Sequence, residues 1–290
     1  MAKSQRFRKF RKSSATWDAP ILPVALGLIG GTFAALAMAE LEQTARGMAA
    51  FAHRDSLAVL WAFLFGFVAV GLPILAIQKM ALRAIRELRA YINIRPFTGS
   101  RMLGTDLWAL DAIFAETIAQ LLNEEPEHVV EAGSGHSSVL IAARLDHLGH
   151  GHLTSLDHLE EFAGRTREWI ADRGLEDRAT VVHAPLAEHE VAGERYTWYS
   201  MDAAADRLPA RIDLLIVDGP PGKIGKDARW PAVPLLLDRL APDAVILLDD
   251  GDRADETRIA YSWHEMLGGS IRYLPGGKGG WLLRRAGEPG

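Results

Sequence analysis

From His128 to Arg285, short runs rich in β-branched residues alternate with stretches of helical spacing, and this alternation constrains the chain more than any other feature. Strands separated by helices return to their sheet in parallel, so the pattern describes an α/β fold with a parallel sheet covered on both faces. The strands read as His128–Ala132, His152–Asp157, Ala179–Ala184, Ile212–Asp218 and Ala244–Asp249. Beyond them, Ser270–Pro275 and Gly280–Arg285 flank the glycine-rich turn at Gly276 to Gly280, which makes the last pair an antiparallel hairpin.

This pattern fills only part of a chain of 290 residues. Hydrophobic residues make up 49% and charged residues 24%, so the apolar excess must be local, and it lies before residue 80. Ile21 to Ala39 and Leu57 to Ile77 carry no charge, and each is long enough to cross a bilayer core of about 30 Å. The sequence therefore predicts two transmembrane helices. Ala37-Met38-Ala39 also resembles a signal cleavage site, which leaves open whether the first segment is retained.

Lys3, Arg6, Arg8, Lys9, Arg11 and Lys12 precede the first span, and Lys79, Arg83, Arg86 and Arg89 follow the second. Basic flanks stay in the cytoplasm, so both ends are expected on the cytoplasmic face of the inner (plasma) membrane, as a multi-pass protein. Leu82, Ile85, Leu88 and Ile92 recur at helical spacing, which describes either a juxtamembrane helix over residues 79–95 lying on lipid headgroups or a continuation of the second span. Residues 1–95 then form a membrane anchor and residues 96–290 the α/β domain. Pro96, Gly99 and Gly104 mark the linker, and Thr105 to Asn123 reads as an amphipathic helix.

Composition removes several activities. A net charge of −5 and the lack of a basic, aromatic-studded stripe argue against nucleic acid as a partner. The absence of cysteine excludes disulfides, thiol nucleophiles and Cys-containing zinc sites.

At the end of the first strand stands Glu131-Ala-Gly133-Ser-Gly135-His-Ser-Ser138. Glycines suit a tight turn whose backbone must approach a ligand, and Asp157, ending the second strand, is placed to accept ribose hydroxyls or to cap the next helix. A dinucleotide fingerprint would have Gly or Ala where Ser138 stands. Asp218 closes the fourth strand and Asp249-Asp250 the fifth; neighbouring strands lie about 4.8 Å apart, so these carboxylates converge on the ligand edge. They suit a general base or an all-oxygen site for Mg²⁺ or another divalent cation, and equally the capping of a turn or helix. His136, Trp198, Tyr199, Pro220, Pro221, Lys223 and Lys226 lie near these motifs without a decisive pattern.

EAGSGHSSVLIAARL, TSLDH, VVHAPL, IDLLIVDGPPG and RWPAVPLLLDRLAPDAVILLDD, in this order, resemble the successive motifs of class I S-adenosylmethionine-dependent methyltransferases, in the bacterial branch with an Asp-Gly-Pro-Pro-Gly loop. The resemblance covers about residues 97 to 286. It implies a Rossmann-like sheet closed by the terminal antiparallel hairpin, here preceded by the two transmembrane helices. It further implies S-adenosylmethionine as cofactor, with Glu131, Gly133 and Gly135 at its methionine end, Asp157 at the ribose, and His158 and Ala184 at the adenine.

Asp218 and Asp250 are the candidate catalytic residues, and Asp218, Asp249 and Asp250 the candidate metal ligands. That trio is similar to the acids of catechol-type O-methyltransferases, although Asp250 stands where those enzymes have an amide. The expected reaction is methyl transfer to an oxygen of a small or lipid-linked acceptor at the cytoplasmic membrane face. The rival readings are a nicotinamide-dependent oxidoreductase, disfavoured by Ser138 and the hairpin, and a membrane-tethered scaffold that binds a nucleoside ligand without catalysis.

Overall fold

The computed structural model describes residues 39–40, 42–43, 64–98 and 112–287. The chain divides into two units, Met1–Gln78 and Lys79–Gly290. The first predicted span, apart from Ala39, lies outside the described residues, as do Gly99 and Gly104 of the expected linker, whereas Pro96, expected in that linker, lies within a helix, Leu72–Thr98.

Of the second predicted span, residues 64–77 are helical. A π-helical turn, Phe67–Gly71, leads into helix α1, Leu72–Thr98. Pro73 explains the turn: its ring would clash with the carbonyl four residues back, at Ala69, and it has no N–H to donate. Leu64–Leu82 is long and apolar enough to cross a membrane, with none of it buried. Of the two alternatives for residues 79–95, the helix is continuous with the preceding segment rather than separate. In the second unit, Ala90 is fully buried and the Asn93 amide donates to Glu116 of α2, Ala112–Leu121. This helix coincides with the described part of the one expected over Thr105 to Asn123.

The main sheet has seven strands in the order β3-β2-β1-β6-β7-β9-β8. Its parallel members are β1 (His128–Ala132), β2 (His152–Asp157), β3 (Ala179–His183), β6 (Ile212–Val217) and β7 (Leu240–Asp249). The closing hairpin is β8 (Ser270–Leu274) and β9 (Gly280–Arg284), with β9 antiparallel to β7. This is the expected sheet, with β7 starting four residues earlier than Ala244. A second antiparallel pair, β4 (Leu186–Val191) and β5 (Glu194–Tyr199), stands apart from it and was not anticipated.

Period-2 alternation sends side chains to two cores. Val129, Leu214, Ile216 and Leu247 pack on one face with α2, α3 (His136–Leu148) and α4 (Glu160–Ala171). Val130, Leu215, Val217 and Ile246 pack on the other with Trp198, Val233 of α6 (Ala232–Leu236) and Trp263 of α7 (Ala254–Leu267); the short α5, Met201–Ala204, adds Ala204. From β1 the chain proceeds outward to β2 and β3, then crosses to β6 on the other side. In such sheets the ligand crevice opens at the carboxyl ends of the strands beside this reversal, here β1 and β6.

Candidate active site

Gly133 takes up φ 108°, a conformation that side chains disfavour, and a Cβ there would come within 3.3 Å of the Asp218 backbone. The glycine turn thus lies against the end of β6. At Gly135 a Cβ would meet nothing within 4 Å, so the backbone there borders open space. Beneath the turn Glu131 is fully buried. Its Oε2 accepts hydrogen bonds from the hydroxyls of Ser138 and Ser155, while Oε1 has no hydrogen-bond partner among the described residues. Burial pushes this carboxyl up to about 7. Ser138, which departs from the dinucleotide fingerprint, therefore has a local task, because its oxygen also accepts the Gly135 N–H.

Asp157, itself buried, accepts from the Ser134 hydroxyl and backbone and from the Leu159 N–H. It joins the end of β2 to the glycine turn and to the Leu159 N–H, but it does not cap α4, whose N-cap is Leu159 with no side-chain capping bond. His158 Nδ1 lies 3.6 Å from the same carboxylate, and its ring meets Tyr199 edge-on at 6.2 Å. Ala184 is buried, with its N–H donated to the Asp157 carbonyl. The six candidate cofactor residues thus lie on the connected ends of β1, β2 and β3. An open glycine turn, a buried carboxylate with a free oxygen and an acid at the second strand end fit an adenosyl amino acid cofactor.

On the other side of the crevice, Asp218, Asp249 and Asp250 converge, with one oxygen from each within 4.8 Å of the others. Asp218 is half-buried and borders a cavity of about 570 Å³ that Lys223, Arg229 and Arg253 also line. Burial raises its carboxyl, opposed by the Arg229 charge; burial and then the Asp218 charge raise Asp249, and the two side chains share a hydrogen bond.

What the trio surrounds is Arg229, only 3% exposed. Its guanidinium donates to the Asp249 carbonyl at 3.0 Å, to the Asp218 carbonyl at 3.0 Å and Oδ1 at 3.3 Å, and to Asp250 Oδ2 at 2.9 Å. Arg253 reaches the same Asp250 oxygen at 2.8 Å. Oxygen donors suit a hard cation in type, but with a fixed guanidinium on two of the three carboxylates the set as arranged does not fit a divalent ion held by all three. Asp250, a catalytic candidate, is turned to these arginines.

Arg229 had no role in the sequence reading, nor had the β4–β5 hairpin that helps to set its position. Tyr196 of β5 stacks on Trp230 at 4.9 Å, and the Trp230 indole donates to Ser262 on α7. Trp198 and Tyr199, which could have been pocket or core, are buried in the core. Tyr199 still reaches the site: a Cβ on Gly219 would lie 2.3 Å from its hydroxyl. The Gly219–Pro220 peptide is cis. The His136 ring lies tilted against Trp169 at 4.5 Å, and Lys226 pairs at the surface with Asp227.

The family model of a methyltransferase domain matches residues 130–251, the span from β1 through the acids after β7. The chain carries a methyltransferase domain. No curated protein matches it. Among solved structures, the enzyme is similar to an SAH-bound methyltransferase from Podospora anserina, at 16% identity and a TM-score of 0.47 over 69% of this chain and 87% of that one. It is similar to a methyltransferase from Geobacter sulfurreducens at 17% identity and a TM-score of 0.48, covering 69% and 95% of the two chains. The O-methyltransferase TomG from Streptomyces achromogenes, solved in complex with SAM, is 20% identical with a TM-score of 0.45, covering 70% and 90%.

Proposed function

We propose that this enzyme transfers a methyl group from S-adenosylmethionine to an oxygen of a small or lipid-linked acceptor, at the cytoplasmic face of the membrane that its N-terminal segment spans. The observation that carries the reading is the contact of the Gly133 turn with the Asp218 backbone, which sets the cofactor residues beside a half-buried acid at a cavity.

S-Adenosylmethionine supplies a methyl group on a sulfonium, displaced in line by the acceptor oxygen. Glu131, Gly133, Gly135 and Asp157 would hold it, with His158 and the Ala184 backbone at its adenine. Asp218 is the group placed to receive the acceptor's proton, since of the three acids it is the least buried and it borders the cavity. Asp249 shares a hydrogen bond with it, and Asp250 anchors Arg229 and Arg253. The proton passes from the acceptor hydroxyl to the Asp218 carboxylate as the new O–CH₃ bond forms and the S–CH₃ bond breaks. Much of the rate enhancement comes from alignment.

The membrane part rests on the unburied apolar segment Leu64–Leu82 and the basic residues flanking the two uncharged runs. The test of the whole reading is calorimetric titration of the full chain in detergent with S-adenosylmethionine and S-adenosylhomocysteine, followed by methyl transfer from labelled cofactor into a membrane extract and a panel of hydroxylated small molecules. Cofactor binding with label incorporated into an alkali-stable ether or an ester supports it; failure to bind either form of the cofactor rejects it.

A further inference from the structure

The trio of acids raises the question of what neutralises it. Metal-dependent transferases answer with a divalent ion, and the donor atoms here are of the right kind. The cation they surround is Arg229, which contacts all three residues of the trio and joins the end of β6 to the end of β7. Arg253 and Lys278 add positive charge on Asp250, at 2.8 and 3.9 Å, and Glu256 completes the cluster at 3.9 Å from Arg229.

Arg229 is held by these hydrogen bonds and, along the chain, by the packing of the next residue. Its neighbour Trp230 is clamped on three sides: its ring stacks on Tyr196, its indole donates to Ser262, and its carbonyl accepts from Trp263. A divalent ion entering among the acids would stand next to a buried guanidinium bonded to two of their carboxylates, in a setting where like charges repel strongly.

Resting on the methyltransferase reading, we infer that Arg229 is the resident cation of the acceptor site. It positions the carboxylates of Asp218 and Asp250, and the enzyme works without a divalent metal. Arg229 is a positioning residue here; it acts through the carboxylates.

The test uses Mn²⁺ as the probe, followed by electron paramagnetic resonance on the full chain in detergent, and does not depend on knowing the acceptor. The wild type is expected to bind no Mn²⁺ at this cluster. Arg229→Met, which removes the charge and keeps the stem, should gain a Mn²⁺ site that disappears again in Arg229→Met/Asp249→Asn. Arg229→Lys, which keeps a buried cation, should gain none.

Wild-type binding of Mn²⁺ that is lost in Asp249→Asn would overturn the inference, as would a folded Arg229→Met that gains nothing. Should Arg229→Met fail to fold, the comparison of wild type with Asp249→Asn decides alone: Mn²⁺ binding that depends on Asp249 overturns the inference, and its absence supports it. Calorimetry with S-adenosylhomocysteine on the same wild-type sample tests the underlying reading separately, because loss of cofactor binding would leave the Mn²⁺ result standing.

Discussion

The Asp157 carboxylate accepts both hydrogens that Ser134 offers, the hydroxyl at 2.7 Å and the backbone N–H at 3.2 Å. One acid thereby fixes the glycine turn after β1 to the end of β2, and what it holds in place is the surface proposed to bind the cofactor. Two roles are superimposed, and they separate by substitution. Ser134→Ala removes the hydroxyl's bonds to Asp157 and Thr166, whereas Asp157→Ala removes the proposed acceptor of the ribose hydroxyls as well as the bonds to the turn. Asp157→Ala should weaken S-adenosylmethionine binding by about 1.5–3 kcal/mol, the scale of hydrogen bonds to a charged group, and Ser134→Ala by less. Equal losses in calorimetry would assign Asp157 to the turn alone.

At Gly219 a side chain approaches the backbone too closely for a Cβ. Tyr199, 1% exposed, has its hydroxyl 2.3 Å from where that carbon would stand, with the Ala132 carbonyl at 3.3 Å. Gly219→Ala should therefore lower stability by about 1–3 kcal/mol, as overpacked cores do. Adding Tyr199→Phe, which deletes the obstructing oxygen, should return much of the loss. A double-mutant cycle in denaturant checks this, and strict additivity of the two substitutions would show that the hydroxyl is not the obstacle.

The segment before the catalytic unit makes a prediction of its own. Phe65, Phe67, Val70 and Leu75 are exposed apolar side chains on a helical stretch with none of its span buried. The full chain should sediment with membranes and require detergent, not high salt, for release. Val70→Asp/Leu75→Asp should shift a large share of it to the soluble fraction, since each carboxylate costs about 2.5–3.5 kcal/mol at the centre of a spanning helix. A reporter active only in the cytoplasm should work at either terminus, and a catalytic domain labelled by an impermeant reagent from outside would overturn the proposed topology.

The parallel strands were legible because burial on two faces forces near-continuous apolar runs such as Ile212-Asp-Leu-Leu-Ile-Val217, which no helix of that length would need. The β4–β5 hairpin was not, for a local reason. Its strands carry Glu188, Glu190 and Glu194 on a partly exposed ribbon, and its two-residue turn is Ala192-Gly193, both at positive φ (54° and 80°), where Asn or Asp usually announces such a turn at the first position. In the site, the acids at strand ends were visible because their position follows from the strands. Arg229 was hidden, since nothing in a sequence separates a buried arginine from a solvated one. The available signal was indirect: three carboxylates predicted to converge require a counter-charge, and an arginine in the segment linking their two strands is a ready source.

Glu131 supplies the pH dependence. Its carboxyl is fully buried and raised from 4.5 to about 7, burial outweighing the hydroxyls of Ser138 and Ser155 that favour the charged form. Below about pH 4.5 the group is protonated in both the folded and the unfolded chain. Between there and about pH 7 the unfolded chain releases its proton while the folded protein keeps it, so this residue's contribution to stability falls as pH rises, by about 3 kcal/mol in all, and levels off above that window. Glu131→Gln has no proton to lose and keeps a carbonyl oxygen for Ser138 and Ser155. Other acids titrate over the same range, so the informative quantity is the difference between wild type and variant. Denaturant midpoints measured from pH 4.5 to 8 should show Glu131→Gln gaining on the wild type across the window, with the gap constant above it. Two curves that remain parallel throughout would mean that the buried carboxyl ionises in the fold as it does in the unfolded chain.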